Sequence, residues 1–146
     1  MSYSVQIYIT KDGETSNTRS TTVKIRPAEF NWDSLKTSGA KFNVTKNEWD
    51  RLQDRINDTR EYRGLNRYNF TRAVVGREMA NYHYNECSNA IVTIPDYGTY
   101  VYGRKILEDG TISCGWDVEY KTFYSGDPIF AVALNSLRSE LNAAMS

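Results

Sequence analysis

Val44-Thr45-Lys46-Asn47-Glu48-Trp49-Asp50-Arg51-Leu52 starts a helix by two separate devices. Thr45 can accept from the Glu48 amide while the Glu48 carboxylate reaches back to the Thr45 amide, which is a capping box. Val44 stands just before the cap and Trp49 at the fourth helical position, so the pair can close as a hydrophobic staple. Trp49, Leu52, Ile56 and Thr59 then follow at spacings of 3, 4 and 3, one stripe of a helix that stops near Gly64. This unit decides the fold because it recurs.

The same spacing can be laid without a gap on segments starting at Val44, Met79 and Ile129. Five residues on stand Trp49, Tyr84 and Leu134, and eight on stand Leu52, Cys87 and Leu137. Twelve on are Ile56, Ile91 and Leu141. Offsets of 5, 8 and 12 put these apolar residues on one helical face. At offset six a neighbouring polar position holds Asp50, Asn85 and Asn135, and Gly76 and Gly126 each lie three residues before their start. The starts are separated by 35 and 50 residues, an irregularity that argues against a solenoid.

The flanks read as β-structure and connectors. Val5, Ile7 and Ile9 alternate with Gln6 and Tyr8, and Thr21, Val23 and Ile25 alternate with Thr22 and Lys24 up to Pro27. Period two predicts a half-buried antiparallel hairpin with a long polar tip, which is marginal alone and must lie on something else. Residues 28–43 carry Phe30, Trp32, Leu35 and Phe42 without a clear period, and read as an irregular connector held by its aromatics or as a short helix from Asp33. Residues 68–75 read as extended, a second helix spans about 79–91, and a last helix runs through Leu134, Leu137 and Leu141. Between these two helices, residues 97–120 are rich in Tyr, Val, Ile and Thr, and Asp109-Gly110 marks a hairpin turn. The expectation is one α+β domain over residues 1–146. It comprises a β-hairpin arm (1–27), a connector with two helical units (28–91), and a β-hairpin region with the last unit (92–146).

Composition narrows the function. Of 146 residues 40% are hydrophobic and 25% charged, proportions that suit a packed domain. Eighteen basic against eighteen acidic residues leave no net charge, which argues against a general nucleic-acid binder. No apolar run is long enough to span a bilayer, no export signal is read at Met1–Ile7, and two cysteines make no disulfide framework. Eleven tyrosines supply apolar area with a polar tip, a composition suited both to interfaces and to strands.

The residues Arg26-Pro27-Ala28-Glu29-Phe30-Asn31-Trp32-Asp33 and Phe42 through Leu52 resemble a pattern in small virion proteins of tailed bacteriophages and prophages of Gram-positive bacteria. Further counterparts are Ile56-Asn57, Tyr62-Arg63-Gly64, Phe70-Thr71, Gly76, Tyr84-Asn85 and Ala90-Ile91. The closing pattern is matched by Ser125-Gly126-Asp127, Leu134-Asn135-Ser136-Leu137 and Leu141-Asn142. Asp50 departs from the usual Asn, and residues 92–122 have no counterpart. The resemblance implies a structural component of the virion, of tail or head surface, assembled in the bacterial cytoplasm and without catalytic residues.

Constellations that could carry chemistry are weak. His83 and Cys87 are four apart on a helix and Cys114 could join them, but a structural zinc site wants four such ligands. Cys87 also takes the core position of Leu52 and Leu137, where a buried thiol is a small hydrophobe and a poor nucleophile. Asp117 and Glu119 share a strand face, and Glu48, Asp50, Asp54 and Glu61 decorate the first helix. The helical carboxylates alternate with Arg51, Arg55 and Arg60 as a solvated face does, so no acid–base pair for glycan hydrolysis stands out. No phosphate-binding glycine loop is present. No cofactor or metal is expected, and no nucleic-acid or membrane partner. Instead the expected partners are other virion proteins and further copies of the chain. The candidate contact residues are Val5, Ile7, Ile9, Phe30, Trp32, Tyr97, Tyr100 and Tyr102. The competing reading is a receptor- or carbohydrate-binding module in which the Tyr-rich stretch 97–120 meets a host glycan.

Overall fold

The computed structural model describes residues 2–94, 100–107, 109–114 and 122–146, leaving aside the side chains of Arg19 and Cys114. The fold is α+β. In chain order come β1 (Ser2–Ile7), β2 (Thr10–Lys11), β3 (Glu14–Thr15), β4 (Arg19–Lys24), α1 (Lys46–Tyr62), α2 (Asn81–Val92), β5 (Arg104–Ile106), β6 (Ile112–Cys114) and α3 (Ala131–Ala144).

The three helices start alike. Their caps Thr45, Ala80 and Phe130 are all extended, with φ of −79°, −80° and −84° and ψ near 156°. Val44, Met79 and Ile129 each precede a cap, as the repeat requires. At α1 the capping box is complete: Thr45 Oγ1 accepts from the Glu48 amide at 3.1 Å, and the Glu48 carboxylate accepts from the Thr45 amide at 2.8 Å. At α2 the His83 imidazole takes the role of Glu48, its Nδ1 accepting from the Ala80 amide at 3.0 Å. At α3 no side chain caps the end.

The helices run parallel. Val44, Met79 and Ile129 line one depression of about 380 Å³ at the N-terminal end, together with Phe42 and Leu134. At the other end Arg60 of α1 donates to the Ala90 carbonyl and Thr93 Oγ1 of α2, and Arg63 donates to the Ala144 carbonyl of α3. Cations on last-turn carbonyls satisfy groups the helix leaves open and complement its dipole. With the N-termini level, equal offsets from the cap fall at equal heights. Trp49, Tyr84 and Leu134 form the first set of three, Leu52, Cys87 and Leu137 the second, and Ile56, Ile91 and Leu141 the third. All nine are buried in a single cluster.

Parallel neighbours require the chain to return the length of a helix between units, and it does so in extended arms without a sheet. Residues 66–72 run back along α1, where Asn57 holds Tyr68 by both backbone groups, Oδ1 accepting its amide at 2.6 Å and Nδ2 donating to its carbonyl at 3.0 Å. Further up, Gln53 donates to the Thr71 carbonyl at 3.0 Å. On α2, Asn85 holds Phe123 in the same two-bond manner, with Asn81 adding a third bond. On α3, Asn142 holds Phe30 at 2.8 and 2.9 Å, and Asn135 donates to the Lys36 carbonyl at 2.8 Å. Each arm therefore lies on one helix and leads into the next. The first arm, 112 residues away in sequence, is held on the last helix and closes the ring.

Each arm then turns before its helix. The Ala40, Arg77 and Asp127 amides donate to the Thr37, Val74 and Tyr124 carbonyls, closing β-turns whose third residues are Gly39, Gly76 and Gly126. The φ values there are 78°, 79° and 87°, a region costly for any residue with a Cβ. Gly39 is the third member of the Gly76–Gly126 pair, displaced by two extra residues before Val44.

Several expectations are corrected. No helix forms from Asp33, because the aromatic connector is clamped in extended form along α3. Residues 68–73 run extended, held by helix side chains and not by a strand, but Val74 and Val75 belong to the turn closed by Arg77. The N-terminal strand covers Ser2–Ile7, so Ile9 lies beyond it, and the tip folds into a small inner hairpin of β2 and β3. β1 and β4 pair antiparallel with Val5 opposite Thr21, and the β5–β6 hairpin pairs Ile106 with Ile112. The N-terminal hairpin was expected to be half-buried, but of its strand apolar residues only Val5 and Val23 are shielded. Phe30 and Trp32 do not cover it.

The clamps make a direct prediction. Asn142→Ala removes two hydrogen bonds from Phe30, which should lower the unfolding free energy in urea by about 1–3 kcal/mol despite the better helix propensity of Ala. Asn47→Ala, at an exposed position of α1, should stay within about 0.5 kcal/mol of the parent. Equal effects at the two sites would contradict the clamp.

Candidate interaction surfaces

The titratable groups that are buried serve the fold. Glu48 is 1% exposed and accepts four hydrogen bonds: from the Thr45 and Asp33 amides at 2.8 Å, and from the Lys36 ammonium at 3.1 and 3.4 Å on its two oxygens. The Lys36 ammonium also donates to Ser34 and to the Asn43 carbonyl, and lies 5.5 Å from the Trp32 ring centre. Burial opposes ionisation of Glu48, but the Thr45 amide, Lys36 and the Asp33 amide outweigh it and hold the carboxyl below the usual range. The pair ties the first arm to the first turn of α1.

His83 is buried and occupied by its capping bond, and Cys87 is fully buried in the second core set. Burial pushes the Cys87 thiol up, so thiolate chemistry is disfavoured there. Tyr84 is buried likewise, its hydroxyl 3.3 Å from the Ala133 carbonyl. Among the described residues, no three His, Cys, Asp or Glu side chains gather as metal ligands would. Asp117 and Glu119 lie outside the described residues. Asp54 pairs with Arg72 at 2.7 Å and Glu61 with Arg67 at 3.1 Å, both on exposed surface.

Large apolar side chains are exposed mainly at two places. One is the rim of the helix N-termini. Val74 and Val75 stand beside the α1 start in a depression of about 470 Å³, and Phe130 and Val132 flank the α3 start. Leu35 and Tyr124 sit beside the turns of their arms.

The other place is the N-terminal hairpin. Its base touches the opposite end of α1, where Ser2 and Lys24 adjoin Glu61 and Tyr62. Register puts Tyr3, Val5, Ile7, Thr21 and Val23 on one face, with position 19 opposite Ile7 at its end, and Ser2, Ser4, Gln6, Ser20, Thr22 and Lys24 on the other. Tyr3 and Ile7 are 51% and 60% exposed. Among the described residues, neither long edge pairs with another strand.

The eight contact residues read from sequence therefore separate. Ile7 and Ile9 are exposed and Val5 half-buried on the hairpin. Phe30 is 1% exposed and makes an edge contact with Trp32, which stacks on Trp49 at 6.3 Å, so both belong to the packing of the first arm. Tyr102 stacks on Phe123 and Tyr100 reaches Ser113 Oγ, uses internal to the fold. Tyr97 lies outside the described residues. Asp50, unlike Asn85 and Asn135, clamps no backbone: it pairs with Lys46 and lies 4.0 Å from Arg72. Sequence reasoning missed Lys36, whose signal is faint, since a lysine in an aromatic-rich connector gives no hint of a buried carboxylate.

Comparison of the chain with known protein families, with curated proteins and with solved structures finds no match to any of them.

The Glu48 site sets a pH dependence. A carboxyl held below its unfolded value adds stability above that value, and this stability is lost as pH falls through the folded value. Acid titration of the melting temperature should therefore show a loss across the carboxylate range that is smaller in Glu48→Gln. Parallel curves for the two proteins would contradict the assignment.

Proposed function

We propose that this protein is a structural component of a tailed-bacteriophage virion, acting through protein–protein contacts and not through catalysis. The observation that carries the reading is the N-terminal hairpin, an amphipathic two-stranded sheet with open edges, held away from a body whose buried titratable groups serve its own packing. An uncovered apolar face of this kind suits an interaction site, and open edges accept strands from a neighbour. The apolar rim at the far end of the bundle offers a second contact, as a component placed between neighbours needs. The resemblance at Arg26–Asp33, Val44–Leu52 and Leu134–Asn142 to small virion proteins of phages and prophages supplies the class of partner. Contacts in a particle are multiplied by high local concentration, so each can be weak.

Particles purified from the source should contain the chain at a fixed copy number by quantitative mass spectrometry, and gold-labelled antibody should decorate them. Deleting residues 1–25 should abolish incorporation while the helical circular-dichroism signal of the body remains. Normal copy number in the truncated protein would remove the hairpin from assembly, and absence of the parent chain from particles would remove the virion reading.

A further inference from the structure

The two edges of the N-terminal hairpin are not equivalent. β1 reads Ser-Tyr-Ser-Val-Gln-Ile and carries no charge along its whole length. β4 reads Arg-Ser-Thr-Thr-Val-Lys, with a cationic residue at each end. Pairing two copies antiparallel through β4 with their faces matched about Thr21 would set Arg19 against Val23 at both ends, a charged residue opposite an apolar one. Charged edges of this kind are how proteins keep strands from pairing with their likes. The β1 edge has no such protection.

We infer that β1 pairs antiparallel with β1 of a second copy, giving a closed, twofold-symmetric dimer built on a four-stranded sheet in the order β4, β1, β1 and β4. This rests on the reading of the hairpin as an assembly element and adds the occupant, the edge and the register. The register follows from the pleat. With Val5 opposite Val5 of the second copy, Tyr3 meets Ile7 at both ends, and Ser4 meets Gln6 on the other face. From Tyr3 to Ile7 every apolar residue then faces an apolar one, and every polar residue a polar one. A slip of one residue would set Tyr3 against Gln6 and mix the faces.

Two further observations favour a second copy. A two-stranded hairpin is marginal in water, and this one makes its main contacts within itself, so added strands are what it lacks. Symmetric β1–β1 pairing also leaves only the charged β4 edges outside, which stops growth at two copies. Pairing of β1 with β4 of the next copy would instead leave one edge of each kind open and continue into a fibre.

Val5 lies on the symmetry axis, which permits a specific test. In the full-length protein, sedimentation analysis should find twice the chain mass. Val5→Lys and Val5→Asp should each sediment as single chains, because residue 5 meets its own like charge. Mixing the two variants should restore the double mass, since Lys then faces Asp. Unchanged helical circular dichroism in all samples would show that the body is intact.

A parent chain that is monomeric, a fibre in place of a dimer, a Val5→Lys dimer, or a mixture that fails to associate would each overturn the inference. Particle incorporation distinguishes this failure from failure of the virion reading. A monomer that still enters particles sinks the dimer alone, whereas a dimer found in no particle sinks the virion reading alone.

Discussion

A residue in extended conformation offers its amide and its carbonyl to the same side, and an asparagine side chain carries one acceptor and one donor at matching separation. Phe30, Tyr68 and Phe123 are met in this way by Asn142, Asn57 and Asn85. The helix side chain does what a neighbouring strand would do in a sheet. The rest depends on this bond pair, because three parallel helices must be joined by long returning arms that have no ladder of their own. The first clamp matters most: it joins the start of the chain to its last helix and so fixes Phe30 in the core, Trp32 on Trp49 and Lys36 beneath Glu48.

Closure in a ring has a consequence for function. Residues that could serve chemistry are drawn into joints: Glu48 and His83 cap helices, Cys87 and Tyr84 fill core sets, and Arg60 and Arg63 seal helix C-termini. Among the described residues, the large apolar side chains left exposed lie mainly at the two ends of the bundle. The hairpin precedes the first clamp and, among the described residues, is anchored at its base by residues near the end of α1. A firm body that presents an amphipathic sheet at one end and an apolar rim at the other is suited to holding neighbours together.

Much of the body was legible in the sequence because helix starts carry dense local signals. Thr45 and Glu48 three apart, Val44 and Trp49 five apart, and the repeated offsets at Met79 and Ile129 locate all three helices and their buried faces. The polar residue at offset six was visible as a pattern, and in α2 and α3 it proves to hold an arm. The partner of each clamp was not legible, since Phe30 and Asn142 meet over 112 residues and nothing local marks the pairing. The solvent exposure of the N-terminal strands was also missed. Alternation of Val5 and Ile7 reports that a strand has an apolar face, but not whether the chain itself supplies the cover. The Glu48–Lys36 pair was half visible, through the cap and not through the lysine.

Native-state hydrogen exchange at single amides tests the central claim most directly. The Phe30, Tyr68 and Phe123 amides lie outside every helix and sheet, yet donate to clamping asparagines. All three should be protected to the same opening free energy as the core amides of α1, because arms and helices open together. A Phe30 amide that exchanges as fast as the exposed hairpin tip, while α1 stays protected, would show that the ring is open at its first joint and contradict the account.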